Sequence, residues 1–416
     1  VTKLQEGRNP VDEIVAGEVR SSDQLDAVKD VLEQSLTKEL DSVNGLVSAN
    51  LISAPAPLVN SPVLIIGAGL LGASMGLALS RAGVQVWLED SSPTGLELAC
   101  DLGAGQSLSA QPAPVPALVV VATPPDVAGD VVVHALRNYP DAVVTDVASV
   151  KEPIAKCVLE RVPNLAQRYV GSHPMAGRER SGAASARADL FDARPWVLVA
   201  TPATSPNALS AVRQLAIDLG ALPTQLGAAE HDRAVALISH TPQLVASALA
   251  ARLEQAPEVA LNLAGQGLRD TTRIAASDPR LWAAILNANR SSVAQVLREL
   301  RVDIDALIEA LEQGRGAVGT VVDVMQRGNL GRDRIPGKHG GAPSRYAEVM
   351  VLIPDAPGQL ARLFNDVGAA QVNIEDLVIE HSAGQRQGLA TLLVAPAAAV
   401  GLRQALEQQG WKIVAN

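Results

Sequence analysis

Apolar positions change period several times along this chain, and each change marks a different kind of element. Between residues 62 and 202, short β-branched runs recur at 63–66, 84–88, 118–122, 143–145 and 196–200, separated by stretches of helical period. Runs that are apolar at every position, rather than at alternate ones, belong to strands covered on both faces. The stretch therefore predicts a doubly wound parallel sheet between helices. From 204 to 325 such runs stop, and the pattern predicts helices over 206–219, 230–254, 258–267 and 279–313. Val293, Val296, Leu297, Leu300, Ile304, Leu307, Ile308 and Leu311 form a long stripe at three-four spacing. With no strand nearby to cover that stripe, packing of helices between two subunits is the expectation.

A glycine-rich, basic connection follows over 314–344. The last 70 or so residues then alternate again: a strand at 347–353, a turn at 355–358, a helix at 359–367, strands near 374–380 and 390–394, and a helix near 397–409. This predicts a separate small α+β unit. At the other end, residues 1–60 hold ten acidic and five basic residues, about half of the net charge of −10. Ser21 and Gln24 have capping-box spacing there, and Leu25, Val28, Val31, Leu32 and Leu36 follow a helical period, so one amphipathic helix is expected in an otherwise solvated extension. The division read from the pattern is 1–60 extension, 61–203 sheet domain, 204–325 helical domain, 326–345 linker and 346–416 terminal unit.

Composition narrows the function. With 48% apolar residues in 416, the chain can build several packed cores. Its net negative charge argues against nucleic-acid binding, which needs a basic face. Two cysteines, Cys100 and Cys157, are too few for a disulfide framework and lack metal-ligand spacing, so no metal and a reducing cytoplasm are expected. The opening residues lack a secretory apolar run, and the longest uncharged apolar run, 63–80, holds four glycines, so no membrane segment is read.

Those glycines carry the first chemical signal. Gly67-Ala-Gly69-Leu70-Leu71-Gly72 directly follows a strand and opens a helix. The first glycine allows a tight turn, the second lets a pyrophosphate approach the backbone, and the third permits close helix-strand contact. Asp90 falls 23 residues after Gly67, at the end of the second strand, where a carboxylate can accept from ribose hydroxyls. Ser91 and Ser92 follow it, with no Arg for a 2′-phosphate, so NAD is favoured over NADP. Thr123 and Pro124 leave the third main strand at the same edge.

Two further strand ends deliver polar residues there. Asp146, Ser149 and Lys151 leave the fourth strand, and His173 and Glu179 the fifth. Histidine at such a spot can take up a hydroxyl proton while hydride leaves the same carbon, and Ser149 can orient either group. The alternative for His173 is a loop residue bonded to backbone. Asp146 has a capping role open to it at the helix that follows. In the helical domain, His231-Asp232, His240, Gln243, Arg269, Arg273 and Trp282 form a second polar set. A forked guanidinium such as Arg273 suits a carboxylate substrate, although surface ion pairing is commoner for Arg.

Together these residues resemble the prephenate dehydrogenase family of tyrosine biosynthesis, over about 62–325. The resemblance rests on Gly67-x-Gly69-x-x-Gly72, Asp146-x-x-Ser149-Val-Lys151, His173-Pro-Met-Ala-Gly177-x-Glu179, His231-Asp232, His240-x-Pro and Asp270-x-Thr-Arg273-Ile-Ala-x-Ser277-Asp-Pro279-x-x-Trp282. The resemblance implies NAD-dependent oxidative decarboxylation of prephenate to 4-hydroxyphenylpyruvate. It makes His173 the proton acceptor, with Ser149 beside it, and Arg273 the carboxylate ligand. Gln243, His240, Arg269 and Glu179 are the further substrate contacts, and Gly67, Gly69, Leu70, Leu71, Gly72, Asp90, Thr123, Pro124 and Ser149 hold the cofactor. One departure is Gln243, where some relatives carry a second His; arogenate, as the substrate or with prephenate as an alternative substrate of a dual-specificity enzyme, stays open as the second choice. The terminal unit resembles a ferredoxin-like ACT domain through Asp355-x-Pro357-Gly358-Gln359-Leu360 and Asn373-Ile374. That implies an aromatic amino acid effector such as tyrosine, or a degenerate unit used for dimerisation. Rival readings are another nucleotide-dependent dehydrogenase, such as a β-hydroxyacid dehydrogenase or imine reductase, and a non-catalytic sensor. The first would need a different catalytic set, and the second has no use for Ser149 and His173 at neighbouring strand ends.

Overall fold

The computed structural model describes residues 56–109, 115–177, 182–314, 316–336, 346–381 and 387–414. The expected N-terminal helix and the expected substrate contact Glu179 lie outside these residues. Eight strands form the first sheet: β1 (Val63–Ile66), β2 (Val86–Glu89), β3 (Gln106–Ser107), β4 (Leu118–Val121), β5 (Val143–Asp146), β6 (Tyr169–Pro174), β7 (Pro195–Val199) and β8 (Leu222–Gln225). Their order is β3-β2-β1-β4-β5-β6-β7-β8, so chain direction across the sheet reverses between β1 and β4. The unbroken apolar runs have the expected cause. Val63 and Ile65 enter one core with Met75 and Leu79 of α1 (Leu70–Arg81) and Val212 and Leu215 of α5 (Pro206–Asp218). Leu64 and Ile66 enter the other with Val132 and Leu136 of α3 (Pro125–Asn138) and Ile154 and Val158 of α4 (Glu152–Arg161). The remaining helix on the sheet is α2 (Pro93–Asp101).

Two features depart from the all-parallel expectation. β7 pairs with β6 antiparallel, and β8 adds to β7 in parallel, so the last two strands run against the other six. β8 also lies inside the stretch expected to be purely helical. Its sequence, Leu-Pro-Thr-Gln, lacks an apolar run, because an edge strand needs no second covered face and tolerates Pro223.

The helical part contains α6 (Ala228–Val235), a widened π turn over Ala236–His240, α7 (Thr241–Ala251), α8 (Glu258–Asn262), α9 (Gln266–Thr272), α10 (Pro279–Ala288), α11 (Arg290–Gln313) and α12 (Ala317–Arg332). The π turn lies one residue before Pro242, whose ring would clash with a carbonyl one turn earlier in a regular helix. Ala228–Ala251 is long and apolar enough by composition to cross a membrane, yet it carries His231, Asp232, His240 and Gln243 buried in protein contacts. The expected helix 279–313 is broken at Asn289, and α12 occupies ground expected to be a connection. Gly319, Gly328 and Gly331 weaken its helical pattern, and packing against α11 with the Arg327–Asp303 ion pair supports it instead. The apolar stripe of α11 stays largely at the surface: only Val293 of that helix is buried.

The terminal unit runs β9 (Ala347–Pro354), α13 (Gln359–Ala369), β10 (Asp376–His381), β11 (Gln387–Val394), α14 (Pro396–Gln408) and β12 (Lys412–Val414), with antiparallel order β10-β11-β9-β12. This βαββαβ order is ferredoxin-like. Alternate residues of β9 and β11 are buried against Leu363, Val367, Leu402 and Leu406 of the two helices. β12 was not anticipated, being only three residues long.

Candidate active site

The glycine loop is built at the end of β1 as its spacing requires. Gly67 has φ +106°, and a Cβ there would lie 2.5 Å from the Ala122 carbonyl oxygen at the end of β4. A Cβ on Gly72 would lie 1.9 Å from the Gly67 carbonyl oxygen, so neither position admits a side chain. Around Gly69, by contrast, an added Cβ would meet nothing within 4 Å, which leaves the loop open to an approaching group. Gly69 caps α1, whose first turn has no acidic residue to oppose an anion. Leu70 and Leu71, both half-buried, begin that helix. Asp90 braces the loop: Oδ2 accepts from Ala68 N at 2.6 Å and Oδ1 from Ser92 N at 2.7 Å. Each oxygen retains a lone pair for further donors. Thr123, next to the exposed Pro124 beyond β4, has a buried Oγ1 with no partner among the described residues. An open glycine turn, a carboxylate at the second strand end and an unsatisfied hydroxyl at the reversal of strand order fit a dinucleotide.

Beside it, a polar chain crosses from the sheet to the helices. His173 Nδ1 on β6 lies 2.9 Å from His231 Nε2 on α6, with the rings edge to face. His231 Nδ1 lies 2.7 Å from Asp232 Oδ1. The Asp232 carboxylate also accepts from the first N–H groups of α4, Lys151 N at 2.8 Å and Glu152 N at 2.9 Å. The cap of α4 is therefore supplied by Asp232 of the helical part and not by Asp146. Instead Asp146 accepts from Ala148 N, from the Tyr169 hydroxyl at 2.7 Å and from the Lys151 ammonium, which also donates to the Ser172 carbonyl at 2.6 Å. Lys151, Asp146 and Tyr169 are fully buried.

Electrostatics follow from this burial. The protein packed around half-buried His173 pushes its imidazole well below the ordinary value, and the Lys151 ammonium pushes the same way. Burial also lowers Lys151 against the pull of Asp146. Tyr169 is raised well above its usual value by burial first and by Asp146 second. His240 is held down to about 4 by burial, with Asp232 opposing. A neutral imidazole at His173 is the form that can accept a proton.

The other candidates fall into two groups. Ser149, in the loop from β5 to α4, is half-buried and makes no hydrogen bond among the described residues. His240 and Gln243 are buried on the α6–α7 segment, with Trp282 edge-on to His240 at 6.1 Å. Gln243 Nε2 donates to Ser277 Oγ at 2.8 Å, which ties α7 to the segment carrying Arg273. Arg269 and Arg273 are exposed, on α9 and just after it. Asn289 was not anticipated; its Nδ2 donates to the Asp232 carbonyl at 2.7 Å and to His240 Nδ1 at 3.1 Å. Its only trace in the sequence is a polar residue inside a helical period. Among the described residues no three His, Cys, Asp or Glu side chains are grouped to hold a metal.

Residues 75–223 match the family model for the prephenate dehydrogenase nucleotide-binding domain, and residues 227–327 match that for the prephenate dehydrogenase dimerization domain. The probable prephenate dehydrogenase NovF of Streptomyces niveus is 36% identical over 358 residues, 84% of this chain and 98% of that protein. The chain belongs to the prephenate dehydrogenase family. Among solved structures, prephenate dehydrogenase from A. aeolicus, in complex with hydroxyphenyl propionate and NAD+, is 28% identical with a TM-score of 0.58, covering 66% of this chain and 99% of that one. Synechocystis arogenate dehydrogenase is also 28% identical, with a TM-score of 0.54 and coverage of 65% and 99%.

The residues expected to bind an effector divide between two ends of the terminal sheet. Asp355, Gly358, Gln359 and Leu360 follow the end of β9, whereas Asn373 and Ile374 precede β10. Strand register puts Asp376 against Leu393 and Leu393 against Glu348, at the start of β9. The two groups are thus separated by most of a strand, roughly 20 Å at ~3.3 Å per residue.

Proposed function

We propose that the protein is an NAD-dependent prephenate dehydrogenase of the cytoplasm, which converts prephenate to 4-hydroxyphenylpyruvate and carbon dioxide. The observation that carries this reading is the His173–His231–Asp232 hydrogen-bonded chain, set at the same sheet edge as a glycine loop open to a pyrophosphate. When bound, NAD supplies the acceptor for hydride from substrate C4. Gly67, Gly69 and Gly72 would admit its pyrophosphate, Leu70 and Leu71 begin the helix that faces it, Asp90 would take the ribose hydroxyls, and Thr123, Pro124 and Ser149 would line its other side. His173 accepts the C4 hydroxyl proton, and Ser149 holds that hydroxyl in line. Arg273, helped by Arg269, binds a substrate carboxylate; His240, Gln243 and Glu179 complete the substrate contacts. Loss of the C1 carboxylate makes the ring aromatic, which supplies much of the driving force. The protein's task is then to position the ring and move one proton, worth about 10² to 10⁴ in rate for the base.

A second substrate has specific support. Gln243 is a neutral amide, able to meet a keto oxygen or an ammonium, and one similar solved structure is an arogenate dehydrogenase. Arogenate, alone or beside prephenate, is the alternative. The helical part would pair two subunits through α11 and α12. The ferredoxin-like unit reads as an ACT domain that senses tyrosine. Because its two groups of effector residues lie at opposite ends of one sheet, a second copy of the unit would complete each site.

NADH absorbance with prephenate or arogenate, and with NAD+ or NADP+, tests the reading directly. Activity with prephenate and NAD+ is expected, and no turnover of either substrate contradicts it. Tyrosine should inhibit the intact chain, and Asn373→Ala should weaken that inhibition at least about tenfold, the loss of one charge-assisted hydrogen bond. Undiminished inhibition would move the tyrosine site elsewhere.

A further inference from the structure

Building on the reading of His173 as proton acceptor, we infer that His231 and Asp232 form a positioning relay that fixes the His173 tautomer, with hydrogen on Nδ1 and the lone pair on Nε2. The argument starts at Asp232. Both its oxygens accept backbone N–H groups, Lys151 N on Oδ1 and Glu152 N on Oδ2. An oxygen engaged in this way is an acceptor, so at the 2.7 Å contact His231 Nδ1 is the donor. A neutral His231 that donates from Nδ1 presents a lone pair at Nε2. That lone pair faces His173 Nδ1 at 2.9 Å, so His173 Nδ1 carries the hydrogen. His173 Nε2 is then the one ring nitrogen able to take a proton from substrate.

The relay has a second effect when that proton arrives. The cationic His173 stays hydrogen-bonded through His231 to a carboxylate, in the way an aspartate orients and stabilises the imidazolium of a hydrolase triad. Here the orienting group is itself an imidazole, and its anchor is the N-terminus of α4. The base stands on β6 of the sheet, while its orienter stands on α6 of the helical part. His231 and Asp232 are nearly fully buried, which keeps water from competing for these bonds.

The protein has six histidines, so ¹⁵N-histidine NMR of the full chain can resolve their tautomers, with assignment by single substitutions. His173 should show the Nδ1–H pattern in the wild type and a mixture in His231→Leu. In steady-state assays His231→Leu should lower kcat by about 10² to 10³, within the range for a misoriented base, while KM for prephenate and affinity for NAD+ stay within about twofold. His231→Gln is the discriminating variant. Its amide can donate to Asp232 and accept from His173, so kcat should return to within about tenfold of wild type. An Nε2–H tautomer of wild-type His173, unchanged kcat in His231→Leu, or equal impairment of the Leu and Gln variants would each overturn the relay. A wild type inert toward both substrates would refute the functional reading instead, and the NMR result would still decide the relay.

Discussion

Asn289 donates one hydrogen bond to His240 Nδ1, and the same amide nitrogen donates to the Asp232 carbonyl. The carbonyl can only accept, which fixes which end of the Asn289 amide is the nitrogen. His240, neutral because its value is held down to about 4, must then carry its hydrogen on Nε2 and act there as a donor. Asn289→Asp reverses this pattern, opposing an oxygen to the Asp232 carbonyl and favouring hydrogen on Nδ1 of His240. The expected result is a rise in KM for prephenate of about 3- to 10-fold, the loss of one neutral hydrogen bond, with kcat much less affected. Steady-state kinetics checks it, and an unchanged KM removes His240 from substrate binding.

Lys151 is fully buried and joined to Asp146 and the Ser172 carbonyl. Lys151→Met removes the cation and leaves the Asp146 carboxylate in the interior, with only the Tyr169 hydroxyl and Ala148 N–H to satisfy it. Breaking a buried pair from one side costs about 3–5 kcal/mol. Urea unfolding of the variant should show a loss of that order; a loss below ~1 kcal/mol would mean that water reaches Asp146.

How much of this was legible depends on how far apart the partners lie along the chain. The glycine loop is local: strand, turn and helix start are neighbours between Val63 and Gly72, and Asp90 arrives at the end of the next strand. Composition at those positions follows from backbone geometry, as the 1.9 Å clash at Gly72 illustrates. The relay is different. His173 and His231 are 58 residues apart, and Asp232 meets Lys151 across 81. Nothing local tells Asp232 from any acidic residue on a helix, so the sequence offers only Asp146, close by along the chain, as a candidate cap of α4. β8 and α12 were missed for another reason: each is stabilised by what it packs against, an adjacent strand or α11, rather than by its own apolar period.

Acid should destabilise the fold before most carboxylates titrate. His240 has a value of about 4 when folded against 6.5 as a free side chain, and His173 is displaced in the same direction. Between these values the unfolded chain binds more protons, so stability rises with pH there. Their contribution is complete above 6.5 and is lost as pH falls toward 4. Urea midpoints should therefore be flat near neutrality and decline below about pH 6.5, with a shallower decline in His240→Gln. A midpoint independent of pH over this window would contradict the neutral state of both rings.

Ile304, Ile308 and Leu311 of α11 lie 44%, 49% and 65% exposed, next to Val318, Val322 and Met325 of α12, which are exposed as well. A stripe of this length on paired helices is unusual for a surface in contact with water alone, and the matching family model is that of a dimerization domain. In the proposed homodimer these side chains lose their water. Ile308→Asp would then bury an unpaired carboxylate at a cost of several kcal/mol, weakening association by more than about 100-fold. Light scattering should find the wild type dimeric and Ile308→Asp monomeric at micromolar concentration, whereas Glu309→Ala, on the exposed face beside it, should remain dimeric. A dimer that survives Ile308→Asp unchanged would place the subunit contact on another surface.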